Sequence, residues 1–399
     1  MPGPGSFLTG EEERKEVLDV LKTCYVSRYG KEDDPRFKHK VVTLEKVFAE
    51  KMGVKYSVAV SGGTGAIMAA LVALGVRTGD EVLVPGYTFV ASLSAIIAVG
   101  GMPVLTEIDD SLTMDPDDIE KKITPKTKVI MPVHMLGNPA EMDRIAALAK
   151  KHNLFVLEDV CQALGGSYKG RMLGSIGHIG AFSLNINKTI TAGDGGMIVT
   201  NDRELYEKAF GYHDQGHKPL RMGVEIGQRT LIGINLRMNE LTGAFALGQM
   251  KKLDKILQLL KDKKKQFKDI VEAAQIRGLR FRKINDPGEC NTLLTILFDE
   301  AAAAKRAAQA LGSATLAESG WHVYNHMEQI LAYTDSDGKR PFTRHMLPKT
   351  DRILERSINI SVGVVDPGLG AGFGINILSS KAEIQQKAEE FLKKVKPVL

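Results

Sequence analysis

One lysine, Lys188, has the sequence surroundings that nucleophilic chemistry needs. A short apolar run leads to Asn185 and Asn187, then to the lysine, and then to the glycine-rich turn 193–196, after which a second apolar run begins. This pattern predicts a tight bend between two strands, where backbone can approach a ligand closely. A lysine held and partly desolvated there can lose its proton and attack a carbonyl, as Schiff-base chemistry requires. A solvated loop lysine is the alternative.

The turn Val60–Ala66 has the composition of an anion-binding loop. It follows a predicted strand, opens a predicted helix, is rich in glycine and carries the hydroxyl of Thr64. Small residues let backbone amides approach a phosphate, and a helix N-terminus favours an anion. The turn lacks the Gly-Lys-Ser/Thr of a Walker loop and is not a full dinucleotide fingerprint. It predicts a phosphate site, with a purely structural turn as the alternative.

Apolar runs and amphipathic patterns alternate between about residues 55 and 200, which predicts a parallel sheet covered by helices on both faces. Ligands gather at the C-terminal ends of the strands in such sheets, so we expect the residues just after these strands to carry the chemistry. The predicted strands are 57–61, 81–85, 103–106, 128–132 and 154–158, and the predicted helices are 65–75, 90–99, 116–123 and 140–152.

Polar and aromatic side chains follow two of these strands. Successive strand residues face opposite sides, so Glu158 and Asp159 cannot both meet one ligand. Asp159, with Gln162 three residues later, could hold the nitrogen of a heterocycle in its protonated form, although such acids also cap helices. Tyr87 and Phe89 follow the strand at 81–85, where either ring could stack on a planar ligand or pack in the core.

The rest of the chain is predicted to form a smaller α/β domain. A Leu- and Lys-rich pattern from Met238 to Val271 predicts one long amphipathic helix, followed by a strand at 291–299 and helices at 300–311 and 381–395. We therefore predict an N-terminal helix and arm (1–40), a large domain (41–255) and a small C-terminal domain (256–399).

Composition places the chain among ordinary globular proteins. No apolar run is long enough to span a membrane, and the residues after Met1 lack the pattern of a secretory signal. The odd count of three cysteines, without metal-type spacing, favours a reducing, cytoplasmic location. The net charge of +5 is spread among mixed-sign runs, so it favours an anionic substrate weakly and gives no argument for nucleic acid.

Two histidine pairs, His213/His217 and His322/His326, have a spacing that metal ligands can share on one helical face. No cysteine or acid accompanies either pair in a recognised pattern, so no metal site is predicted. The glycine cluster at 368–374 fails the spacing test for a nucleotide loop and is predicted to be a loop of the small domain.

Taken together, these segments resemble the DegT/DnrJ/StrS family of sugar aminotransferases, which depend on pyridoxal 5'-phosphate (PLP) and have the fold-type I aminotransferase fold. The similarity runs from about Glu12 to the C-terminus, and six segments match in the family's order. They are the turn at 61–64, the segments 87–90, 132–137 and 158–162, the stretch 182–196 around Lys188, and the segment 235–240.

The resemblance implies a role for each matching residue. Lys188 corresponds to the lysine that forms the internal aldimine with PLP and then moves protons as general base and acid. Asp159 corresponds to the acid that pairs with the pyridinium nitrogen. The remaining matches are Phe89 stacking on the ring, Gln162 beside its plane, Gly63, Thr64, Gly65 and Ser183 around the phosphate, Asn235 reaching the phosphate of a partner subunit, and Arg237 and His326 on the substrate side.

The implied activity is transfer of an amino group from glutamate or glutamine to a keto-sugar, through pyridoxamine 5'-phosphate (PMP), by a homodimer with shared active sites. A nucleotide-linked keto-sugar is the leading candidate, while an unactivated keto-sugar, a sugar acid and a cyclitol ketone stay open. Two alternative functions are a keto-sugar 3-dehydratase, although those enzymes carry histidine in place of Lys188, and a non-catalytic cofactor-binding regulator. We expect the segments 28–30 and 321–326 to select the substrate.

Overall fold

The computed structural model describes residues 3–219, 229, 231–363 and 366–399. Within these residues the strands form a sheet of seven, a sheet of four and a two-stranded ribbon. The strands are β1 Tyr56–Val60, β2 Glu81–Pro85, β3 Met102–Thr106, β4 Thr127–Ile130, β5 Phe155–Asp159, β6 Ser167–Tyr168, β7 Arg171–Met172, β8 Ile179–Ser183, β9 Gly196–Thr200, β10 Leu279–Phe281, β11 Leu293–Phe298, β12 Ser357–Ser361 and β13 Phe373–Gly374.

The large sheet has the order β1-β9-β8-β5-β4-β2-β3 and is mostly parallel, as the sequence predicts. β9 is the exception within the described residues, because it pairs antiparallel with both β1 and β8. The connection from β8 to β9 contains the Lys188 bend and no helix. A parallel pair needs a long crossover, usually through a helix, so this bend returns the chain in the opposite direction.

Helices cover the sheets. Of the four helices predicted between the early strands, all are present within a few residues of their expected bounds. The helices are α1 Pro4–Phe7, α2 Glu11–Leu21, α3 Lys40–Met52, α4 Gly63–Ala73, α5 Val90–Ala98, α6 Pro116–Lys122, α7 Met142–His152, α8 Arg203–His213, α9 Glu240–Met250, α10 Leu253–Ala273, α11 Ala301–Ala310, α12 Glu328–Leu331, α13 Pro348–Glu355 and α14 Lys381–Val395. None of the described helices is long and apolar enough to cross a membrane.

The prediction of one helix from Met238 to Val271 is wrong, because the structure has α9 and α10 with a break between them. The amide of Lys252 donates to the carbonyl of Gln249, a tighter turn than the α-helical ladder, and the Lys252 backbone has φ −106° and ψ −6°. The Lys252 ammonium is bonded to the Leu8 carbonyl and the Glu13 carboxylate. Apolar periodicity continues across this junction, so the sequence pattern alone did not reveal the break.

The smaller sheet has the order β10-β11-β12-β13 and packs with α10 and α11, and α14 packs against these two helices. One buried apolar cluster includes residues from both sheets, with Phe182 from the large one and Phe298 from the small one. The large sheet lies within residues 56–200 and the small sheet within 279–374. The predicted domain boundary at 255 falls near the start of α10 and stays a prediction.

Candidate active site

A cavity of about 380 Å³ opens at the C-terminal edge of the large sheet, where parallel strands place ligand sites. Two groups of residues line it. The large-sheet side consists of Gly63, Thr64, Asp159, Gln162, Ser183 and Lys188, and the loop side consists of Trp321, His322, Asp366 and Leu369. Phe89, at the start of α5, also lines the cavity.

The start of α4 forms one end of the cavity. Gly62 is its extended N-cap, and Gly63 and Thr64 begin the helix, whose first amides have no partner within the helix. A Cβ at Gly63 would lie 2.7 Å from the Ser183 Cβ, so a side chain there would fill the space. Such a helix start can bind a phosphate. Gly65 follows in the first turn of the helix, and a Cβ there would lie 3.3 Å from the side chain of Leu236.

Asp159 ends β5 and places a buried carboxylate in the cavity wall. Its Oδ2 accepts a hydrogen bond from Ser92 Oγ at 2.8 Å, and its Oδ1 accepts one from the amide of Cys161 at 3.0 Å. Ser92 Oγ lies 2.8 Å from Thr88 Oγ1, which fixes the orientation of this donor. Sequence reasoning identified the carboxylate and missed the two hydroxyls that hold it, because they lie on a different element.

Glu158 points to the opposite face, as strand alternation predicts. Its carboxylate accepts hydrogen bonds from His134 Nε2 at 3.0 Å and from the amides of Gly174, Ile176 and Gly177. Burial raises the pKa of Glu158, but the bond from His134, its charge and these amides outweigh burial, so the pKa lies below its ordinary value. Glu158 therefore stabilises the fold, and Asp159 alone of the two faces the cavity.

Lys188 lies in the bend between β8 and β9 and is half-buried in the cavity wall. Its amide donates to the Asn185 carbonyl at 3.0 Å, and the Asn185 side chain donates to Asp194 at 2.9 Å. Gly193 and Gly195 have φ values of 82° and 154°, conformations that favour glycine. The bend predicted from the glycine-rich turn is present.

Gln162 and Phe89 complete the walls beside Lys188. Gln162 Oε1 accepts a hydrogen bond from the amide of Leu136 at 3.1 Å, which fixes the side-chain amide at the cavity. The Phe89 ring lies 5.4 Å from the His322 ring and 6.4 Å from the Trp321 ring, measured between centroids. These aromatic rings form an apolar wall on which a planar ligand could stack.

The structure places His322 in the wall of this cavity, whereas His326, predicted on the substrate side, does not line it. His322 Nδ1 lies 3.2 Å from the Gly368 carbonyl, so Nδ1 carries the proton and Nε2 is an acceptor. Burial, and then the positive charge of Lys188, lower the pKa of His322 to about 4. His326 is exposed outside the cavity, with its Nδ1 3.3 Å from the Ser319 carbonyl.

Asn235 and Arg237 lie outside the cavity of their own chain. Arg237 NH1 donates to Asp214 Oδ1 at 2.6 Å, and Asn235 Oδ1 accepts from the Arg237 amide. The nearby side chains of Ile232 and Ile234 are 95% and 42% exposed. The segment 232–237 therefore exposes apolar side chains next to the polar side chains of Asn235 and Arg237.

The segment 28–30, which we expected to select the substrate, is bonded to other parts of the fold. The Arg28 guanidinium is buried and donates to Glu45 Oε1 at 2.9 Å and to the Ala59 carbonyl at 3.1 Å. Tyr29 donates to Asp214 Oδ2 at 2.6 Å. These residues do not line the cavity.

Comparison with known proteins decides the family. The model of the DegT/DnrJ/EryC1/StrS aminotransferase family matches residues 9–365. The chain belongs to this family. It is 40% identical to the GDP-perosamine synthase of Escherichia coli O157:H7 over 264 residues, which cover 66% of this chain and 68% of that protein.

Solved structures extend the similarity over the whole fold. The aminotransferase from Psychrobacter cryohalolentis has 30% identity and a TM-score of 0.80, with 98% of each chain covered. NtdA from Bacillus subtilis, solved with bound cofactor PMP, has 25% identity and a TM-score of 0.75, covering 98% of this chain and 84% of that one. The predicted family, fold-type I architecture, PLP and PMP cofactors and enzyme class are therefore confirmed: the chain is a PLP-dependent aminotransferase of the amino-sugar type.

Proposed function

We propose that this enzyme transfers an amino group from glutamate or glutamine to a keto-sugar in the cavity at the edge of the large sheet, with Lys188 as its catalytic lysine. The observation that carries the proposal is that Lys188 and Asp159 line the same cavity as the start of α4. An amine, a buried carboxylate and an anion-binding helix start are the three groups that PLP needs, and here they converge from separate elements.

The described residues fit PLP. The start of α4, with Gly63, Thr64 and Ser183, would hold the phosphate, and the Gly63 hydrogen leaves space that a Cβ would fill. Asp159 would face the ring nitrogen, while Phe89 and Gln162 would flank the ring. Bound there, PLP supplies an electron sink for bond breaking at the substrate carbon. Gly65, the third residue of α4, would add its backbone amide to the same phosphate cradle, and its lack of a side chain leaves room for Leu236.

The protein groups divide the remaining work. Lys188 Nζ would link covalently to the cofactor at rest and, once released, would carry the proton to and from the substrate carbon as general base and acid. Asp159, oriented by Ser92 and the Cys161 amide, would keep a positive charge on the ring nitrogen. His322 Nε2, a neutral acceptor, would receive a hydrogen bond from the amino acceptor or donor.

We propose a nucleotide-linked keto-sugar as the amino acceptor. The supporting observation is the similarity to a GDP-perosamine synthase, a protein named for a nucleotide-linked amino sugar. The exposed Trp321 indole at the cavity, 66% accessible, offers an aromatic surface for a base or a sugar ring. An unactivated keto-sugar, a sugar acid and a cyclitol ketone are the other outcomes of an acceptor screen.

We also propose that the enzyme works as a homodimer in the cytoplasm. The exposed Ile232 and Ile234 beside Asn235 support a contact in which this segment reaches the phosphate end of the partner's cavity. Arg237 would act there too, on the partner's substrate side, rather than in its own cavity. The three free cysteines are consistent with a reducing compartment.

The test is a screen of keto-sugars in which consumption of glutamate is followed as 2-oxoglutarate. The proposal expects turnover with at least one nucleotide-linked acceptor, and loss of turnover in Lys188→Ala. Lys208→Ala, which removes a surface lysine paired with Glu204, is the matched control and should retain full activity. Loss of a sugar hydroxyl without gain of an amine would favour the dehydratase instead.

Hybrid dimers test the shared site. A mixture of Lys188→Ala chains and Asn235→Ala chains should regain activity on subunit exchange, because one site of each hybrid would contain both native residues. If both homodimers are inactive and their mixture stays inactive after exchange, Asn235 acts within its own chain. An Asn235→Ala homodimer that keeps full activity would show that Asn235 has no role in the site.

A further inference from the structure

The first described residues of the chain lie against the bend that carries Lys188. We name residues 3–8 the N-terminal strap. The Gly3 amide donates to the Ile186 carbonyl at 2.8 Å, and Ser6 Oγ donates to the same carbonyl at 3.2 Å. Gly3, Pro4 and Gly5 are buried although they stand at the beginning of the chain. The contact is therefore part of the packed structure of the bend.

Two glycines of the strap allow its backbone to touch the backbone on both sides of Lys188. A Cβ at Gly3 would lie 2.4 Å from the carbonyl carbon of Asn187 and 2.7 Å from the Lys188 oxygen. A Cβ at Gly5 would lie 2.8 Å from the Ile190 Cα. Backbone atoms in a packed bend cannot move aside cheaply, so any larger residue at Gly3 or Gly5 must displace the bend or the strap.

Gln249, on α9, joins the strap to the stretch that follows Lys188. Its Nε2 donates to the Gly5 carbonyl at 3.1 Å and to Glu13 Oε1 at 2.7 Å, and its Oε1 accepts from the Thr191 amide at 3.2 Å. The side chain is fully buried, and both of its amide hydrogens are used. A buried amide with this bonding fixes the groups around it, because losing any one bond leaves an unpaired buried group.

The other end of the strap is anchored by a charge cluster. Lys252 Nζ donates to the Leu8 carbonyl at 2.6 Å and to Glu13 Oε2 at 2.7 Å. The Gly10 amide donates to the same Glu13 oxygen at 2.7 Å. The junction between α9 and α10 thus holds the strap at its C-terminal end, while Gln249 and Ile186 hold it along the bend.

We propose that the N-terminal strap and Gln249 position Lys188 for its reaction. The bend between β8 and β9 is rich in glycine and would by itself allow several backbone paths, whereas covalent linkage and proton transfer need the amine at a defined place. The strap fixes the backbone before and after Lys188, so Gly3, Gly5 and Gln249 are positioning residues. This inference rests on the proposed function of Lys188.

The test combines strap variants with removal of the lysine. Gly3→Ala adds one methyl group against the bend, and Gln249→Leu removes the bonds to Gly5 and Thr191 while keeping much of the volume. Gly10→Ala is the matched control, since its Cβ would meet no atom closer than 3.8 Å. Each change is made in the wild-type chain and in Lys188→Ala. The dissociation constant for PLP is measured in both, and the borohydride-reducible fraction, kcat and KM are compared among the chains that keep Lys188.

We expect Gly3→Ala and Gln249→Leu to weaken PLP binding and lower kcat by about tenfold or more, because small displacements of a reacting group have large effects on rate. The KM for glutamate should change less than kcat, and Gly10→Ala should match the wild type. In Lys188→Ala neither strap change should weaken PLP binding further, since the group on which the strap acts is gone.

Two outcomes would overturn the inference. Equal losses of PLP affinity with and without Lys188 would mean that the strap shapes the cavity generally, and unchanged kcat in Gly3→Ala would mean that the bend needs no support. If thermal unfolding shows that Gly3→Ala does not fold, Ser6→Ala replaces it. We expect Ser6→Ala to lower kcat by a smaller factor, and an unchanged kcat in this variant would contradict the role of the strap. Failure of the proposed function is separate, because PLP would then remain borohydride-reducible in Lys188→Ala itself.

Discussion

The two sides of the cavity are built in different ways. The large-sheet side places Asp159 and Ser183 at the ends of parallel strands and Gly63 at the start of a helix, so regular elements set its geometry. The loop side places Trp321 and His322 between short 3-10 turns, and contacts with distant segments set its geometry. The difference separates the chemistry, which we assign to the large-sheet side, from the choice of substrate, which we assign to the loop side.

The largest effect that could break this comparison is loss of the Asp159 charge. Asp159→Asn should leave PLP bound but reduce kcat by about a thousandfold, because the ring nitrogen would lose the anion that keeps it protonated. Absorbance titration measures binding, and steady-state assays measure turnover. Glu158→Gln is the matched control on the same strand. It should lower the melting temperature, because it disturbs a fully buried carboxylate that accepts hydrogen bonds from four donors. Its effect on PLP binding and on kcat should be small. Full activity in Asp159→Asn would show that Asp159 is not the group that keeps the ring nitrogen protonated.

A smaller effect is expected on the loop side. His322→Phe should reduce kcat/KM for one of the two substrates by about tenfold, because it removes the Nε2 acceptor, and should leave the dissociation constant for PLP nearly unchanged. His326→Phe should change neither quantity, since His326 is exposed outside the cavity. An equal loss of kcat/KM in His326→Phe and His322→Phe would show that both histidines act on the substrate, and it would contradict the assignment of that role to the loop side of the cavity alone.

The indole at the exposed side should contribute less. Trp321→Ala is expected to raise the KM for a nucleotide-linked acceptor about fivefold, with kcat nearly constant, because stacking on a largely exposed ring adds uniform binding. The KM for glutamate serves as the internal control. A fall in kcat with an unchanged acceptor KM would contradict a stacking role for Trp321.

The smallest expected effect concerns pH. With a pKa lowered to about 4, His322 stays neutral through the range where an ordinary histidine titrates. Any inflection near pH 6.5 in the pH profile of kcat/KM should therefore be the same in the wild type and in His322→Phe. The unfolded chain binds the proton more readily, so stability assigned to His322 should fall as pH drops from about 6.5 towards 4. An inflection near 6.5 that is present in the wild type and absent in the variant would contradict this.

The same division explains what the sequence could predict. Strand alternation was enough to separate Asp159 from Glu158, and the glycine-rich turns were enough to place the start of α4 and the Lys188 bend. Local patterns of this kind depend on neighbours in the chain. They carry no information on which of His322 and His326 enters the cavity, because that depends on docking of the loop through the Gly368 carbonyl.

Three other features depended on long-range contacts. The break between α9 and α10 follows from bonds between Lys252 and the N-terminal residues, and the contact of the strap with the bend joins segments about half the chain apart. The antiparallel direction of β9 follows from a bend with no crossover helix.

The most direct measurement is to identify the lysine that PLP modifies. The enzyme is loaded with PLP, reduced with borohydride and digested, and the modified peptide is located by mass spectrometry. We expect one modified peptide, containing Lys188, and loss of that modification when glutamate converts the bound cofactor to its amine form before reduction. Modification of a different lysine, or no reducible modification in a protein that still transfers amino groups, would contradict the assignment of Lys188.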